Sequence, residues 1–360
     1  MTKAYKTTAT MPKISLIQLL ALLPVGAALV AVSDKAQTAR ARLFEALSSP
    51  SGKLTLSPEI VIPEPTDPTA ILLQASGITT LSEKIRTQAK ANAALISGSV
   101  TSLKTFCSEQ EQSRGNFPGP VPVIYLDSVE DLSSVAEAGA EGIMVSVCDG
   151  KAIESLNDLT ADAEWVGTCK AALECGLQPI PEVTIDDSIA ASWKEADIEA
   201  LVAKIVDVTG DDPVSIVLSV NPGEDEEADM SLPTIPKALG KKTPILGSVR
   251  VPAGESRLGE ETARFKAAGF TGGALRTECI PSVSLNQDLE YVGNFWSACI
   301  GDLKSLKSKS FQFQSRNYMN SNAALEWGKY QKSILDSGSL GEAEDNVPSF
   351  DSASGDYQGF

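Results

Sequence analysis

Histidine is absent from the 360 residues of this chain. That absence excludes serine–histidine–aspartate and cysteine–histidine mechanisms and every histidine-ligated metal site. Acid–base chemistry would have to use carboxylates, lysine, tyrosine or cysteine. The six cysteines form no C-x-x-C pair and no metal-ligand spacing, so we predict buried thiols, with no metal and no cofactor.

Positive charge is also scarce. Lysine and arginine total 30 against 47 acidic residues, which gives a formal net charge of −17. This balance argues against nucleic acid or an anionic membrane face as the main partner, and it favours solubility. At 42% hydrophobic residues, the chain is long enough to bury a full core and to carry terminal extensions.

Residues 1–33 contain no acidic residue, and three lysines precede the apolar run Ile14–Val32. Two interpretations fit this segment about equally. A cleaved signal or transit segment explains the basic, threonine-rich start, whereas a membrane anchor explains the length, since a span needs about 20 apolar residues. Either implies an organelle, for which we expect a plastid, with membrane contact through Ile14–Val32. A buried amphipathic helix is less favoured because the run is apolar all round.

Eight short apolar runs alternate with stretches of helical periodicity in the middle of the chain. Strands separated by helices pair in parallel, and eight right-handed crossovers close into a (β/α)8 barrel of the α/β class. We predict this TIM-barrel fold for residues 34–306, with the polar helix Asp34–Leu47 over its bottom. The predicted strands are Leu56–Ile62, Ile78–Ser82, Val121–Asp127, Gly142–Val147, Gln178–Thr184, Val214–Val220, Pro244–Val249 and Thr271–Arg276.

The end of the chain extends beyond the predicted barrel. Asn286–Leu306 has the apolar spacing of a closing helix, and residues 307–360 are predicted to form an extended, partly disordered acidic tail. Trp327, Tyr330 and Ile334 would share one face of a short helix in that tail. Aromatic anchors dominate many interfaces, so we expect protein partners in an assembly to bind here. Packing of this helix back onto the barrel is the alternative.

Several segments between Arg40 and Leu306 resemble, in order, motifs of indole-3-glycerol-phosphate synthase, the barrel enzyme of tryptophan biosynthesis. Pro58–Ile60 is similar to A-E-I-K on the family's first strand, and Gly77–Glu83 to A-I-S-V-L-T-E on its second. Gly98 and Ser99 resemble the G-S that opens the next helix. Pro122–Asp127, Ile180–Val183 and Val220–Asn221 resemble P-V-L-x-K-D, L-V-E-V and I-N on strands three, five and six.

The resemblance implies a carbon–carbon lyase site at the carboxyl ends of the strands, without cofactor or metal. It also implies a small phosphorylated ligand. Glu59 and Glu182 fall on the family's two strand-borne glutamates. Asn221 and Ser248 fall on its asparagine and its strand-seven serine.

The two lysines of the family's site are missing. Val61 stands at the strand-one lysine, and Leu126 at the strand-three lysine, which is the cationic acid for ring closure. Neither side chain donates a proton or holds charge, and losing a general acid costs about 10²–10⁴-fold in rate. The phosphate site is altered too, since Gly223 replaces an arginine and the acidic run Glu224–Glu227 follows.

These substitutions leave three hypotheses. We favour a divergent family member that has lost catalysis and serves as a scaffold or assembly subunit of an organellar complex. The second is an active synthase, or another phosphate-sugar lyase or isomerase, in which Arg250, Arg276 or Lys241 replaces the lost cations. The third is a barrel that senses a small anion without turning it over. Positive charge near Glu182 separates them, because an enzyme needs it there and a scaffold does not.

Overall fold

The computed structural model describes residues 35–48, 53–64, 68–221, 231–250, 258–280 and 289–305. Eight parallel strands in sequence order form a closed barrel, which confirms the predicted (β/α)8 fold. The strands are β1 (Thr55–Ile62), β2 (Ala94–Gly98), β3 (Val123–Tyr125), β4 (Gly142–Ser146), β5 (Gln178–Asp186), β6 (Ile216–Asn221), β7 (Ile245–Val249) and β8 (Gly272–Leu275).

Helices precede, separate and follow the strands. Helix α1 spans residues 35–47. The others are α2 (Pro68–Lys84, continued by the π-helical turn Ile85–Ala89), α3 (Val100–Gln112), α4 (Leu132–Ala138), α5 (Glu164–Glu174), α6 (Asp187–Ser192), α7 (Glu195–Thr209), α8 (Lys237–Lys242), α9 (Leu258–Ala267) and α10 (Leu289–Ser305). Short 3₁₀ turns occur at Val147–Gly150, Leu156–Asp158 and Thr277–Cys279.

The second strand does not lie where the apolar pattern predicted it. Ile78–Ser82 belongs to α2, and the second strand is Ala94–Gly98. Within and just beyond that run, Ile78, Leu81 and Ile85 are buried in the core at helical spacing. The prediction was wrong because a short apolar run fits a buried strand and the buried face of a helix equally well.

One of the motif similarities is contradicted by this fold and another agrees with it. Gly77–Glu83 is helical, so its similarity to a second-strand motif does not hold. Gly98 ends β2, and the Ser99 hydroxyl caps α3 by accepting a hydrogen bond from the backbone N–H of Ser102 at 3.2 Å. The G-S pair therefore opens a helix, as the resemblance implied.

Helix α1 closes the floor of the barrel, at the amino ends of the strands. Leu43 and Leu47 are fully buried in the same apolar cluster as the side chains inside the barrel. Lys35 donates a hydrogen bond to the carbonyl of Ala136 at 2.7 Å. The expected covering of the barrel bottom is therefore present. The inward-facing members of the cluster include Leu95, Ile124, Met144, Ile180, Val217, Leu246 and Ala274.

Helix α10 closes the outer layer and is fastened to the barrel at two levels. The fully buried Trp296 donates from its indole nitrogen to the carbonyl of Glu59 at 3.1 Å. Nearer the floor, the Lys304 ammonium donates to Oδ1 of Asn92 at 3.0 Å. The Asn92 amide in turn donates to the carbonyl of Ala46 in α1 at 3.2 Å. The last helix, the first strand and the floor helix are thus linked through polar contacts.

The predictions for residues 1–33 and 307–360 concern segments outside the described residues. Across the described ranges, no helix is both long and apolar enough to cross a membrane. All six cysteines are free thiols. Cys107, Cys169 and Cys299 are buried as predicted, whereas Cys148, Cys175 and Cys279 are partly exposed.

Candidate functional site at the barrel mouth

Strand alternation positions the candidate residues inside the barrel. Side chains alternate between the two faces of a strand, so Ile60 and Ile62 pack under the helices while Glu59 and Val61 face inward. In this fold, inward residues from alternate strands form layers of four. The strand registers place Glu59, Leu126, Glu182 and Ser248 in one such layer, which we call the carboxylate layer.

Arg276, directly after β8, reaches into the carboxylate layer and is only 6% exposed. Its Nη1 donates to Oε2 of Glu59 at 3.3 Å, and its Nη2 donates to Oε1 of Glu182. Its Nε donates to the hydroxyl of Ser248 at 2.9 Å. Nη2 also lies 3.6 Å from the sulfur of Met144. Every nitrogen of the guanidinium therefore has a partner within the barrel.

The electrostatics of this cluster are those of a buried ion triad. Burial raises the pKa of Glu59, although the charge and hydrogen bond of Arg276 oppose that shift. Burial lowers the pKa of Arg276, but the charges and hydrogen bonds of Glu182 and Glu59 outweigh it, so that pKa lies above its ordinary value. A guanidinium does not lose its proton in proteins. Arg276 is consequently a fixed positive charge and not an acid–base group.

The two positions that lack the family's lysines are apolar. Leu126 lies in the carboxylate layer and packs against the interior cluster. Val61 lies nearer the rim of the mouth and is 43% exposed. The positive charge in the layer therefore comes from β8, and strands β1 and β3 contribute none.

Three further sequence candidates lie outside the carboxylate layer. The Asn221 side-chain amide donates to Oδ1 of Asp186 at 3.3 Å, between the ends of β5 and β6. Arg250 follows β7 and is 3.9 Å from Glu278 at the surface. Lys241 is in the last turn of α8, which leads into the amino end of β7, so it is at the opposite end of the barrel from the mouth.

Sequence reasoning missed a polar group beside the layer. Asp127 accepts hydrogen bonds from the hydroxyl of Ser97 at 2.7 Å and from the backbone N–H of Gly98 at 2.6 Å. The hydroxyl of Tyr125 donates to the carbonyl of Gly98 at 2.5 Å, and burial, together with Asp127, raises the pKa of Tyr125 to about 12. An acidic residue at the end of the predicted strand Val121–Asp127 was the available signal. The group ties the ends of β2 and β3 together.

Two comparisons with known proteins find no match: no family profile fits this sequence, and no curated protein is similar to it. Within the described residues, no group of three or more histidine, cysteine or acidic side chains could hold a metal ion.

Some solved structures resemble this chain at low identity and low TM-score. A chain of the tryptophan synthase α2β2 complex from Pyrococcus furiosus is 13% identical with a TM-score of 0.41, over 71% of this chain and 98% of that chain. Truncated 3-deoxy-D-arabino-heptulosonate 7-phosphate synthase from Thermotoga maritima is 10% identical with a TM-score of 0.42, over 71% and 89%. The carboxyl transferase domain of Rhizobium etli pyruvate carboxylase is 9% identical with a TM-score of 0.43, over 82% and 57%. These values assign neither a family nor an activity.

Proposed function

We propose that this chain is a barrel of the indole-3-glycerol-phosphate synthase type whose catalytic layer has become a structural ion cluster, and that it serves as a scaffold or assembly subunit. The observation that carries the proposal is that apolar Leu126 fills the lysine position of the carboxylate layer, while the cation beside Glu182, Arg276, is already paired with both Glu59 and Glu182. Both carboxylates that would act on a substrate are thereby paired within the protein, by one positive charge shared between them.

The chemistry of ring closure supports the same conclusion. A proton has to be delivered to the substrate's carbonyl oxygen, which requires a donor that can lose its proton near neutral pH. Arg276 cannot do so, and Leu126 occupies the place of the lysine in the carboxylate layer. A barrel of this composition lacks a general acid where the family has one.

Phosphate binding meets a similar obstacle. Bidentate recognition of a phosphate needs a guanidinium with free N–H groups. Those of Arg276 are directed to Glu59, Glu182 and Ser248. A phosphate could recruit Arg276 only by leaving two buried carboxylates without their cation, which is costly.

The second candidate function is an active synthase or a related phosphate-sugar lyase. One observation favours it: a cation does lie beside Glu182, where an enzyme would require one. Under this alternative, Arg276 would act as an electrostatic stabiliser of a negatively charged oxygen, and the proton would come from elsewhere.

Assays with the carboxyphenylamino-deoxyribulose phosphate substrate test the proposal. We expect the purified full chain to show no turnover and not to complement a strain that lacks the synthase. Turnover above background, abolished by Glu182→Gln, would establish the alternative. The double variant Val61→Lys/Leu126→Lys should gain weak binding of the phosphorylated substrate, whereas the uncharged control Val61→Met/Leu126→Met should not.

As part of the scaffold role, we propose that the protein resides in an organelle, a plastid, and that residues 307–360 bind its partners in the assembly. Residues 1–33 would be either a transit segment or a membrane anchor. Sequencing the amino terminus of the mature protein distinguishes these two, because a start near Ser33 indicates cleavage. Purification in mild detergent should recover the chain within a larger complex. A full-length chain that purifies alone and soluble without detergent would contradict both the anchor and the assembly.

A further inference from the structure

A half-buried ion pair joins the floor helix α1 to the barrel. Nη1 of Arg42 donates to Oε1 of Glu141 at 2.5 Å, and the two side chains are 28% and 14% exposed. Glu141 immediately precedes β4, so the pair connects the helix to the sheet. The other ion pair described for α1, Arg40 with Asp211, is longer at 3.9 Å and more exposed. Arg42 and Glu141 therefore form the more buried charged contact of this helix.

The second carboxylate oxygen of Glu141 has no hydrogen-bond partner. Oε2 is buried, and no group in the described parts of the chain donates to it. Glu141 borders a small cavity whose wall includes Cys107, Val121 and Gly139. The nearby amide of Gln110 is already used on both sides, because its nitrogen donates to Ser82 and its oxygen accepts from the N–H of Val121. A charged carboxylate is poorly solvated in this position.

The charges that face Glu141 come from two elements. Arg42 on α1 and Arg114 just after α3 attract it, while Glu111 on α3 repels it, and Arg114 and Glu111 also pair with each other at 2.6 Å. The Cys107 thiol on α3 is uncharged, since burial raises its pKa to about 12. Burial dominates, and it raises the pKa of Glu141 to about 7 against the two arginines.

We propose that Glu141 is a proton-dependent joint, which holds α1 to the barrel floor more firmly when it is protonated than when it is charged. A neutral carboxyl still accepts from Arg42 through Oε1 and places its second oxygen in the cavity without an uncompensated charge. The charged form keeps the ion pair but leaves Oε2 buried without a donor. Helix α1 is the first described element of the chain, so the joint governs how firmly this helix is held against the barrel floor.

The direction of the pH dependence follows from the two protonation states. With α1 docked, the pKa of Glu141 is about 7, against an ordinary value of 4.5. Between pH 4.5 and pH 7, Glu141 is therefore protonated more often when α1 is docked than when it is undocked. The free energy that favours docking falls as the pH rises through this range and is lowest above about pH 7. Because each unit of pKa difference is a factor of ten, the opening constant of α1 should rise by about 10- to 100-fold from pH 5 to pH 8.

Hydrogen exchange of the α1 backbone amides in the full chain tests the joint. After correction for intrinsic exchange rates, the wild-type opening constant should rise between pH 5 and pH 8, whereas the neutral variant Glu141→Gln should show no rise. Glu137→Gln is the matched control: it removes an exposed carboxylate of α4 that is not among the charges acting on Glu141, and it should retain the wild-type pH dependence. Equal pH dependence in the wild type and Glu141→Gln would overturn the proposal.

A measurement on the wild type keeps the test independent of the variants. Titration of the Glu141 carboxyl carbon by NMR should give a midpoint near 7. A midpoint at the ordinary value for glutamate would refute the joint even if Glu141→Gln failed to fold.

Discussion

Replacing Arg276 with methionine should destabilise the barrel strongly, because it leaves Glu59 and Glu182 buried without their cation. Methionine keeps much of the length of the side chain, so the change removes charge and hydrogen bonds more than volume. Both carboxylates are at least 86% buried, since their exposed fractions are 14% and 13%. Solvent can therefore compensate for little of the lost interaction.

The expected loss is about 3–5 kcal/mol in the free energy of unfolding at pH 8, the usual cost of removing one partner from a buried pair. For a domain of this size, that corresponds to a fall in Tm of roughly 6–20 °C. The penalty should shrink toward pH 5. Burial already raises the pKa of Glu59, and without Arg276 to oppose it this carboxyl should take up a proton more readily.

Urea denaturation followed by tryptophan fluorescence measures the loss. The triple variant Glu59→Gln/Glu182→Gln/Arg276→Met should recover most of the stability, because it removes all three charges together. Arg114→Met is the control for a surface pair, since Arg114 is 58% exposed beside Glu111. It should cost less than about 1 kcal/mol.

Two outcomes would refute this reasoning. A loss below about 1 kcal/mol in Arg276→Met would mean that the ion triad does not hold the barrel mouth. A triple variant less stable than Arg276→Met would mean that the carboxylates stabilise the fold through other contacts.

Three further predictions concern other parts of the chain. Gly247→Ala should lower the free energy of unfolding by about 1–3 kcal/mol through overpacking, because its new Cβ would lie 2.0 Å from the ring of Phe265; an unchanged Tm would contradict this. Burial and Lys90 lower the pKa of Lys304 from 10.5 to about 8 in the folded protein. Between pH 8 and pH 10.5, Lys304 is therefore protonated in the unfolded chain but not in the folded one, so the free energy of unfolding should rise with pH. A Lys304→Met variant that keeps this rise in a pH series of urea melts would contradict that assignment. Deleting Ser321–Phe360 should leave Tm unchanged and remove the chain from its larger assembly, whereas a lower Tm with unchanged association would mean that the segment packs on the barrel.

The barrel was predictable because local signals agree with the fold. Gly139 ends α4 with a φ of 105°, a conformation that favours glycine, and β4 begins at Gly142, where the predicted fourth strand begins. The second strand was not predictable in the same way. Ala94–Gly98 (ALISG) and Ile78–Ser82 (ITTLS) are both five residues long and both contain apolar residues, so local hydrophobicity did not tell the strand from the helix.

The candidate site was predictable in its positions but not in its contacts. Parallel strands in a barrel bring their carboxyl ends together, so Glu59, Glu182 and Ser248 were expected near one another. The role of Arg276 depends on where a long, flexible side chain points after its strand ends. The sequence is compatible with an Arg276 side chain that extends into solvent or one that extends across the barrel interior. The packed structure shows that it extends across the interior. Asn221 was also expected at the site. Its side-chain amide instead donates to Asp186 at the end of β5, which holds it outside the carboxylate layer.

The polar link through Asn92 has a mechanical consequence. Residue 35 begins the floor helix, and the described part of α10 ends at residue 305, close to the contact between Lys304 and Asn92. A pulling force applied between these two points would load the hydrogen bonds that Asn92 makes with Lys304 and with the carbonyl of Ala46. The contacts of Lys35 and Arg42 with the barrel would share that load. These side-chain contacts would therefore break before the eight strands separate.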